Sequence, residues 1–347
     1  MTAREKNKKA NLIPDVPGPI SRAGFLDNLT GSWRYLRPRF EEKLAPCITA
    51  CPAGERVELW IRRLQEENYE QACRLIKQVN PFPRICGRVC FHPCETECNR
   101  GHFDRPIAIH ALERFVGDQA RVRYQPAAKS TGRNICVIGA GPAGLTCAFH
   151  LARLGHSVTV HESETEPGGL LQYGIPRYRL PKDVLAEEID DLLSTGIKLI
   201  TGKRVEDLEE ICREYDAAFL AAGFGKPATL PVAGAQEDGV IDALHFLKAV
   251  NSGQAPAVGK QVVVIGGGNA AVDAARTSVR LGAETSLIYR RTKAEMPAYA
   301  PEVEEAQKEG VTILYLVQPS EIVRDNDGSL LVACSQNRLG EPDESGR

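Results

Sequence analysis

Two glycine-rich turns, 127 residues apart, constrain this 347-residue chain more than any other feature. The first reads Gly139-Ala-Gly141-Pro142-Ala143-Gly144 after an apolar segment, and the second reads Gly266-Gly267-Gly268-Asn269-Ala270-Ala271 after another. In a strand–turn–helix unit, the first glycine makes the turn, the second admits a pyrophosphate, and the third lets helix and strand pack closely. The following helix offers free N–H groups to the phosphates. The sequence therefore predicts two Rossmann-type units that each bind a dinucleotide.

The hydrophobic pattern predicts a helical region followed by two α/β regions. Up to about residue 128 the apolar spacing is helical, with one break near 67–68 and a further helix at 107–119. From residue 134 strands alternate with helices, which favours parallel sheets in a doubly wound α/β architecture. The predicted strands are 135–138, 157–161, 198–201, 217–222, 262–265, 285–289 and 329–333.

The charge at the end of the second strand differs between the two units. In the first unit that strand ends on Glu162, 23 residues after Gly139, where a carboxylate can accept hydrogen bonds from ribose hydroxyls. In the second unit it ends on Arg290 and Arg291, whose guanidinium groups suit a 2′-phosphate. We therefore expect the second site to take NADPH in preference to NADH.

The segment after Glu162 distinguishes the first site further. Residues 167–181 are rich in glycine, proline and arginine, and a simple NAD domain does not need such a loop. A flavin does need it, because the isoalloxazine extends beyond the pyrophosphate. We therefore predict three domains: a helical domain at 1–128, the first part of an FAD domain at 129–257, and an incomplete nicotinamide domain at 258–347.

Six of the eleven cysteines fall within 52 residues of the helical region. They are Cys47, Cys51, Cys86, Cys90, Cys94 and Cys98. Because Gly87 and Pro93 should interrupt any helix, we expect a loop around an inorganic group. Zinc would need only four thiolates, so six thiolates beside two redox cofactors favour iron–sulfur. Either one [4Fe-4S] cluster or two would fit, with Glu113 as a candidate oxygen ligand.

The other five cysteines lie singly among apolar neighbours at 73, 136, 147, 212 and 334, a pattern typical of core residues. No redox-active Cys-x-x-Cys lies near either glycine-rich turn, so flavin electrons should not leave through a disulfide. No side-chain acid or nucleophile is needed for hydride transfer, and we therefore assign no catalytic residue.

Charge and hydropathy exclude several classes of partner. The chain has 43 basic and 45 acidic residues, which argues against nucleic acid and anionic membranes. It lacks an apolar run long enough to span a bilayer, and its polar start lacks the apolar core of a signal peptide. We expect a cytoplasmic protein.

Longer motifs make residues 40–345 resemble the small subunit of glutamate synthase and its relatives. These relatives include the matching domains of dihydropyrimidine dehydrogenase and the flavin subunit of NADH-dependent ferredoxin:NADP oxidoreductase. The motifs are Asn80-Pro-Phe-Pro83, Cys86-Gly-Arg-Val-Cys90, Gly169–Pro176 with Arg179-Leu-Pro181, Gly266–Asn269, Tyr289-Arg-Arg291 and Met296-Pro-Ala298.

The resemblance implies a helical iron–sulfur domain, an FAD domain and a nicotinamide domain inserted within it. It implies flavin contacts from Gly169, Leu170, Arg179 and Val205 besides Glu162. It also implies that Cys51, Cys90 and Cys94 hold one cluster with Glu113, while Cys47 and Cys98 belong to a second.

Two departures from the family pattern change these expectations. Residues 37–45 replace the usual upstream Cys-x-x-Cys, so a second cluster would need Cys86 or a partner's residue as a further ligand. Family members also continue beyond this chain's last residue to complete the nicotinamide and FAD domains. We expect either a fragment of a longer protein or a chain whose remaining flavin pocket is supplied elsewhere, and in both cases weak FAD binding by this chain alone.

Together these features predict hydride transfer from NAD(P)H to FAD, followed by one-electron transfer to iron–sulfur. The final acceptor would lie on a partner subunit, either an amidotransferase-type chain or another iron–sulfur enzyme. The alternatives are a flavin-based transhydrogenase or electron-bifurcating subunit, and a non-catalytic electron-transfer scaffold.

Overall fold

The computed structural model describes residues 43–224 and 230–341. The polar N-terminal stretch, residues 37–42 of the replaced cysteine motif and the last six residues lie outside this range. The elements given below all belong to one compact unit that begins at Ala45.

The first part of the chain, here called the helical region, consists of short helices. They are α1 (Pro46–Ala50), α2 (Val57–Gln65), α3 (Tyr69–Ile76), α4 (Pro83–Val89), α5 (Pro93–Thr96) and α6 (Ile109–Gln119), with a 3₁₀ turn at Asn99–His102. The predicted break lies between α2 and α3, where the Asn68 side chain accepts a hydrogen bond from the Gln71 N–H at 3.1 Å. Trp60, Ile76 and Val116 are buried in the shared core of these helices.

The loop predicted for the cysteine-rich segment is wrong, because α4 and α5 form there. Pro83 and Pro93 lie in the first turns of these helices, where proline has no hydrogen bond to lose. Gly87 lies inside α4, where it allows α6 to approach. A Cβ at Gly87 would lie 2.5 Å from the Arg114 backbone nitrogen.

The first sheet region contains four parallel strands in the order β3-β2-β1-β4. The strands are β1 (Asn134–Ile138), β2 (Ser157–His161), β3 (Lys198–Ile200) and β4 (Ala217–Leu220). Helices α7 (Pro142–Arg153), α8 (Leu170–Tyr173), α9 (Lys182–Leu193) and α10 (Leu208–Glu214) connect them. Val137, Phe149, Val160 and Leu185 form part of the core beneath the sheet.

The second sheet region has three parallel strands in the order β5-β6-β7. After α11 (Ala243–Asn251) come β5 (Gln261–Ile265), α12 (Asn269–Arg280), β6 (Glu284–Tyr289), α13 (Ala300–Lys308) and β7 (Thr312–Tyr315). An antiparallel hairpin, β8 (Val317–Arg324) and β9 (Leu330–Gln336), follows. The predicted α/β class with parallel sheets after a helical region is confirmed.

Within the described residues, the helices are all too short or too polar to cross a lipid bilayer.

Candidate functional site

The first glycine-rich turn connects β1 to α7 and leaves room for a ligand at one position. Gly139 has φ +103°, and a Cβ there would lie 2.3 Å from the Ala221 carbonyl oxygen. A Cβ at Gly144 would lie 1.9 Å from the Gly139 carbonyl oxygen, so helix and strand require glycine there. By contrast, a Cβ at Gly141 would meet no atom within 4 Å. Gly141 caps α7 without a side-chain hydrogen bond, so the N–H groups of Ala143 and Gly144 in the first turn of the helix have no capping side chain.

Glu162 lies directly beside this turn. Its Oε2 accepts a hydrogen bond from the Ala140 N–H at 2.7 Å, and its Oε1 accepts one from the Glu164 N–H at 2.9 Å. The residue is buried, so these two donors fix the orientation of the carboxylate. Oε1 also accepts a hydrogen bond from the Ser163 hydroxyl at 3.3 Å, whereas Oε2 keeps a further lone pair, which is the acceptor that a ribose hydroxyl requires.

The loop after β2 packs on the same turn. The Gly168 N–H donates to the Ala140 carbonyl at 2.8 Å, and a Cβ at Gly169 would lie 3.0 Å from the Gly141 Cα. Leu170 follows and is half exposed. Val205 lies in the loop after β3, in which the Lys203 N–H donates to the Glu162 carbonyl at 2.9 Å. The structure therefore brings Gly169, Leu170 and the Val205 loop to the first turn.

Arg179 lies elsewhere, against the second sheet region. Its Nη1 donates to Asp273 Oδ2 at 2.7 Å, and its Nε lies 3.1 Å from Glu302 Oε1. Only 10% of the side chain is exposed. The role of Arg179 as a flavin contact therefore stays a prediction, while its guanidinium is bound to two carboxylates from α12 and α13.

The second glycine-rich turn connects β5 to α12 and opens into a cleft. Gly268 caps α12 without a side-chain hydrogen bond, and a Cβ on it would meet no atom within 4 Å. Gly267 packs on Tyr289, since a Cβ there would lie 2.4 Å from the ring. The cleft, of about 420 Å³, is lined by Gly266, Gly267 and Arg290 among others.

The loop after β6 is held to this second turn. The Asn269 side chain accepts a hydrogen bond from the Tyr299 N–H at 2.9 Å, and the Gly267 carbonyl accepts one from the Ala298 N–H at 3.0 Å. Arg290 is exposed and Arg291 partly so. Of the predicted dinucleotide residues of the second unit, Gly266, Gly267 and Arg290 therefore line one opening.

Three of the predicted thiols converge with Glu113. Burial raises the pKa of the Cys94 thiol to about 12, and Cys51 and then Glu95 and Cys90 contribute to the rise. Burial likewise raises the pKa of the Cys90 thiol, and Cys51 adds to this. Burial, then Glu55, Cys90 and Cys51, raises the pKa of Glu113. Thiols whose ionisation is hindered in this way fit an iron–sulfur core, whose positive charge would stabilise the thiolates.

The three remaining thiol candidates lie in two different settings. Cys47 lies near enough to Cys98 for the two thiols to interact. Burial raises the pKa of the Cys47 thiol, and Cys98 adds to the rise. Cys86 contacts the residue that binds Glu113, since its Sγ donates to Asn80 Oδ1 at 3.6 Å. Burial raises the pKa of Cys86, with Glu113 as the next cause.

Two of the isolated cysteines were wrongly predicted to lie in the core. Cys212 on α10 and Cys334 on β9 are exposed, because each occupies the solvent side of an element at the edge of its sheet region. Cys73 and Cys136 are buried as predicted, and Cys147 is partly buried.

Sequence reasoning did not identify a polar group beside Cys94. His110 Nδ1 contacts Glu95 Oε1 at 2.6 Å, and the His92 and His110 rings stack with centroids 3.9 Å apart and planes 22° apart. Burial, then the charge of His110, lowers the pKa of His92 to about 4. One ring nitrogen of each histidine and a carboxylate oxygen of Glu95 lie within 4.8 Å of one another, a spacing that could hold a metal ion.

Two families match the two parts of the chain. The family described as pyridine nucleotide-disulphide oxidoreductase matches residues 133–341. The family described as dihydropyrimidine dehydrogenase domain II, 4Fe-4S cluster, matches residues 41–125.

Three curated relatives align over most of the chain. The NADP(+)-dependent formate dehydrogenase subunit beta of Moorella thermoacetica is 39% identical and aligns with 87% of this chain and 47% of its own length. The NADPH-Fe(3+) oxidoreductase subunit beta of Geobacter sulfurreducens is 38% identical, with 94% and 51% covered. The glutamate synthase [NADPH] small chain of Escherichia coli is 36% identical, with 87% and 68% covered. The chain thus spans about half the length of the first two relatives.

Two dinucleotide turns on parallel sheets, next to a thiol-rich helical region, define a flavin- and nicotinamide-dependent oxidoreductase. The chain belongs to the pyridine nucleotide-disulphide oxidoreductase family and is a relative of the glutamate synthase small chain. The family matches confirm the predicted cofactors, which are FAD, NAD(P)H and a [4Fe-4S] cluster. The assignment of individual residues to them stays a prediction.

Proposed function

We propose that this chain is the electron-entry part of a larger oxidoreductase: it takes electrons from NADPH and passes them by way of FAD to iron–sulfur and a partner subunit. The observation that carries this proposal is the presence, in one compact unit, of two open glycine-rich turns and a convergent group of thiols. A bound flavin accepts electrons in pairs and releases them singly, which is the conversion that such a chain requires.

The chain's own residues would bind and orient the cofactors. The turn Gly139–Gly144, Glu162, Gly169, Leu170 and Val205 would hold FAD, and the turn Gly266–Asn269 with Arg290 and Arg291 would hold NADPH. Free N–H groups at the starts of α7 and α12 would bind the two pyrophosphates. The corresponding domains would be 1–128, 129–257 and 258–347.

Cys51, Cys90, Cys94 and Glu113 would hold a [4Fe-4S] cluster. The mutual effects on the pKa of these groups support their proximity. Cys47 and Cys98 would contribute to a second cluster together with Cys86 or a residue of the partner subunit.

The partner would be a separate redox subunit. The relatives are named as a subunit beta or a small chain, so each works within a larger enzyme. An amidotransferase-type chain or another iron–sulfur enzyme would each accept single electrons from this chain.

Anaerobic mixing of the purified protein with NADPH tests the proposal. We expect the flavin absorbance to bleach and a reduced iron–sulfur signal to appear in the electron paramagnetic resonance (EPR) spectrum. Iron and sulfide analysis should give at least one cluster per chain. A flavin that stays oxidised would support the idle scaffold instead, and zinc without iron would contradict the cluster assignment.

The choice of nicotinamide can be tested separately at the second turn. Replacing Arg290 and Arg291 by Gln should raise the KM for NADPH by roughly tenfold to a hundredfold, because hydrogen bonds to charged groups contribute about 1.5–3 kcal/mol. The KM for NADH should change little, since NADH lacks the 2′-phosphate. Arg213→Gln, an exposed arginine on α10, is the matched control. An equal rise for both nucleotides would refute the assignment.

A further inference from the structure

Asn80 lies at the centre of the buried polar contacts behind the proposed cluster ligands. It follows α3 in the Asn80–Pro83 motif and is itself buried. Its Nδ2 donates to Glu55 Oε1 at 2.8 Å and to Glu113 Oε1 at 2.9 Å. Its Oδ1 accepts a hydrogen bond from the Phe82 N–H at 2.9 Å. Both hydrogens of one amide therefore go to carboxyl groups from two other segments.

This arrangement fixes only one oxygen of Glu113. Glu113 is buried on α6, so its carboxyl group must find partners within the protein. Asn80 supplies a partner for Oε1, and no hydrogen bond to Oε2 is formed by the residues that the structure describes. Cys51 and Cys90 lie near enough to influence the same carboxyl group. The free oxygen is thus the atom available to an iron ion.

We propose that Asn80 is a positioning residue for the cluster: its amide orients Glu113 as an oxygen ligand, and Glu55 holds the amide in place. The inference rests on the proposed cluster at Cys51, Cys90 and Cys94. Hydrogen bonds from outside the ligand set commonly orient metal ligands in this way. A carboxylate with one oxygen anchored has fewer orientations available than a free one, so it stays ready to bind the metal.

Asn80→Asp is the direct test, because it keeps the size of the side chain and the acceptor for the Phe82 N–H. It replaces the donor NH2 by an oxygen that faces two carboxyl groups. We expect the cluster to lose iron to a chelator roughly tenfold faster than in the wild type, and the EPR spectrum of the reduced cluster to change. Asn68→Asp makes the same chemical change at the cap of α3 and should leave both measurements unaltered.

A second background shows whether Asn80 acts through Glu113. In a Glu113→Cys protein the ligand is a thiolate that needs no amide, so adding Asn80→Asp should cause no further increase in iron loss. An equal increase in both backgrounds would overturn the proposal. If Asn80→Asp fails to fold, Glu55→Ala decides the question, because it leaves the amide and its turn intact. We expect Glu55→Ala to lose iron faster than the wild type, and we expect no such increase when Glu55→Ala is added to Glu113→Cys. Unchanged iron loss in Glu55→Ala overturns the proposal.

The failure of this inference is distinguishable from failure of the proposed function. A wild-type protein without iron and sulfide would remove the cluster altogether. A wild-type protein with an intact cluster, alongside an Asn80→Asp variant that behaves like Asn68→Asp, would overturn only the role of Asn80.

Discussion

Glu188 on α9 is completely buried where the helical region packs on the first sheet region. Its Oε2 accepts a hydrogen bond from the Ile85 N–H at 3.1 Å. Burial raises its pKa to about 7, although nearby Lys77 opposes the rise. Because the folded protein then holds a proton that the unfolded chain has released, this residue stabilises the fold fully only at low pH. Its contribution is lost as the pH rises from about 4.5 to about 7.

Glu188→Gln should remove this pH dependence. One pKa unit corresponds to about 1.4 kcal/mol. Raising the pH from 4 to 8 should therefore lower the free energy of unfolding of the wild type by roughly 3 kcal/mol more than that of the variant. Denaturant titration at the two pH values measures this difference. Glu187→Gln, at an exposed neighbour paired with Arg84, should not reproduce it. An unchanged pH profile for Glu188→Gln would show that the carboxyl group ionises normally.

At the scale of elements, the cysteine-rich segment depends on the close crossing of α4 and α6. Gly87 on α4 lies against the Arg114 backbone, one residue after Glu113. Cys90 follows directly after α4, so this contact links two of the proposed ligands. The absence of a side chain at Gly87 is what allows the two helices to approach.

Gly87→Ala should therefore destabilise the protein and its cluster together. The added methyl group would lie 2.5 Å from a backbone nitrogen, and overpacking of this kind costs about 1–3 kcal/mol. The free energy of unfolding and the iron content per chain are the measurements. At Gly101 a new Cβ would lie 3.8 Å from Pro106, so Gly101→Ala is the matched control. Wild-type stability in Gly87→Ala would mean that the helices can separate without loss.

At the scale of the whole molecule, a buried group of charges joins the two sheet regions. Arg179 from the loop after α8 pairs with Asp273 on α12 and Glu302 on α13. The Tyr178 hydroxyl donates to Asp273 at 3.4 Å, and the Arg280 guanidinium lies 3.8 Å from the centre of the Tyr178 ring. Burial raises the pKa of Asp273 to about 6 despite its pairing with Arg179. These contacts set how the proposed FAD and NADPH sites face each other.

Asp273→Ala should lower the free energy of unfolding by about 3–5 kcal/mol, because it leaves the Arg179 charge buried with fewer partners. Flavin reduction by NADPH should also slow, since the FAD and NADPH sites would no longer be held in a fixed orientation to each other. Stopped-flow reduction and denaturant titration measure the two effects. Glu237→Gln, which breaks the exposed pair with Arg324, should change stability by less than about 1 kcal/mol. A similar small effect for Asp273→Ala would show that other contacts hold the regions together.

Much of the fold could be predicted from the sequence, because strands, long helices and glycine-rich turns reflect interactions between near neighbours. Both turns lie between the predicted strand and helix, and the break at Asn68 lies where it was expected. The helices at the cysteines were missed because proline and glycine normally interrupt helices. Here the prolines lie in first turns, and Gly87 is required by a helix that begins 22 residues later.

The sequence by itself determined the class of fold, the two dinucleotide turns and the presence of a thiol-rich region. These properties depend on residue types at short spacings. Only the tertiary structure decided which polar groups meet across long separations, such as Asn80 with Glu113, 33 residues away, and Arg179 with Asp273, 94 residues away. Such contacts depend on how α4, α6, α12 and α13 pack, and packing is a property of surfaces that the chain brings together only when it is folded.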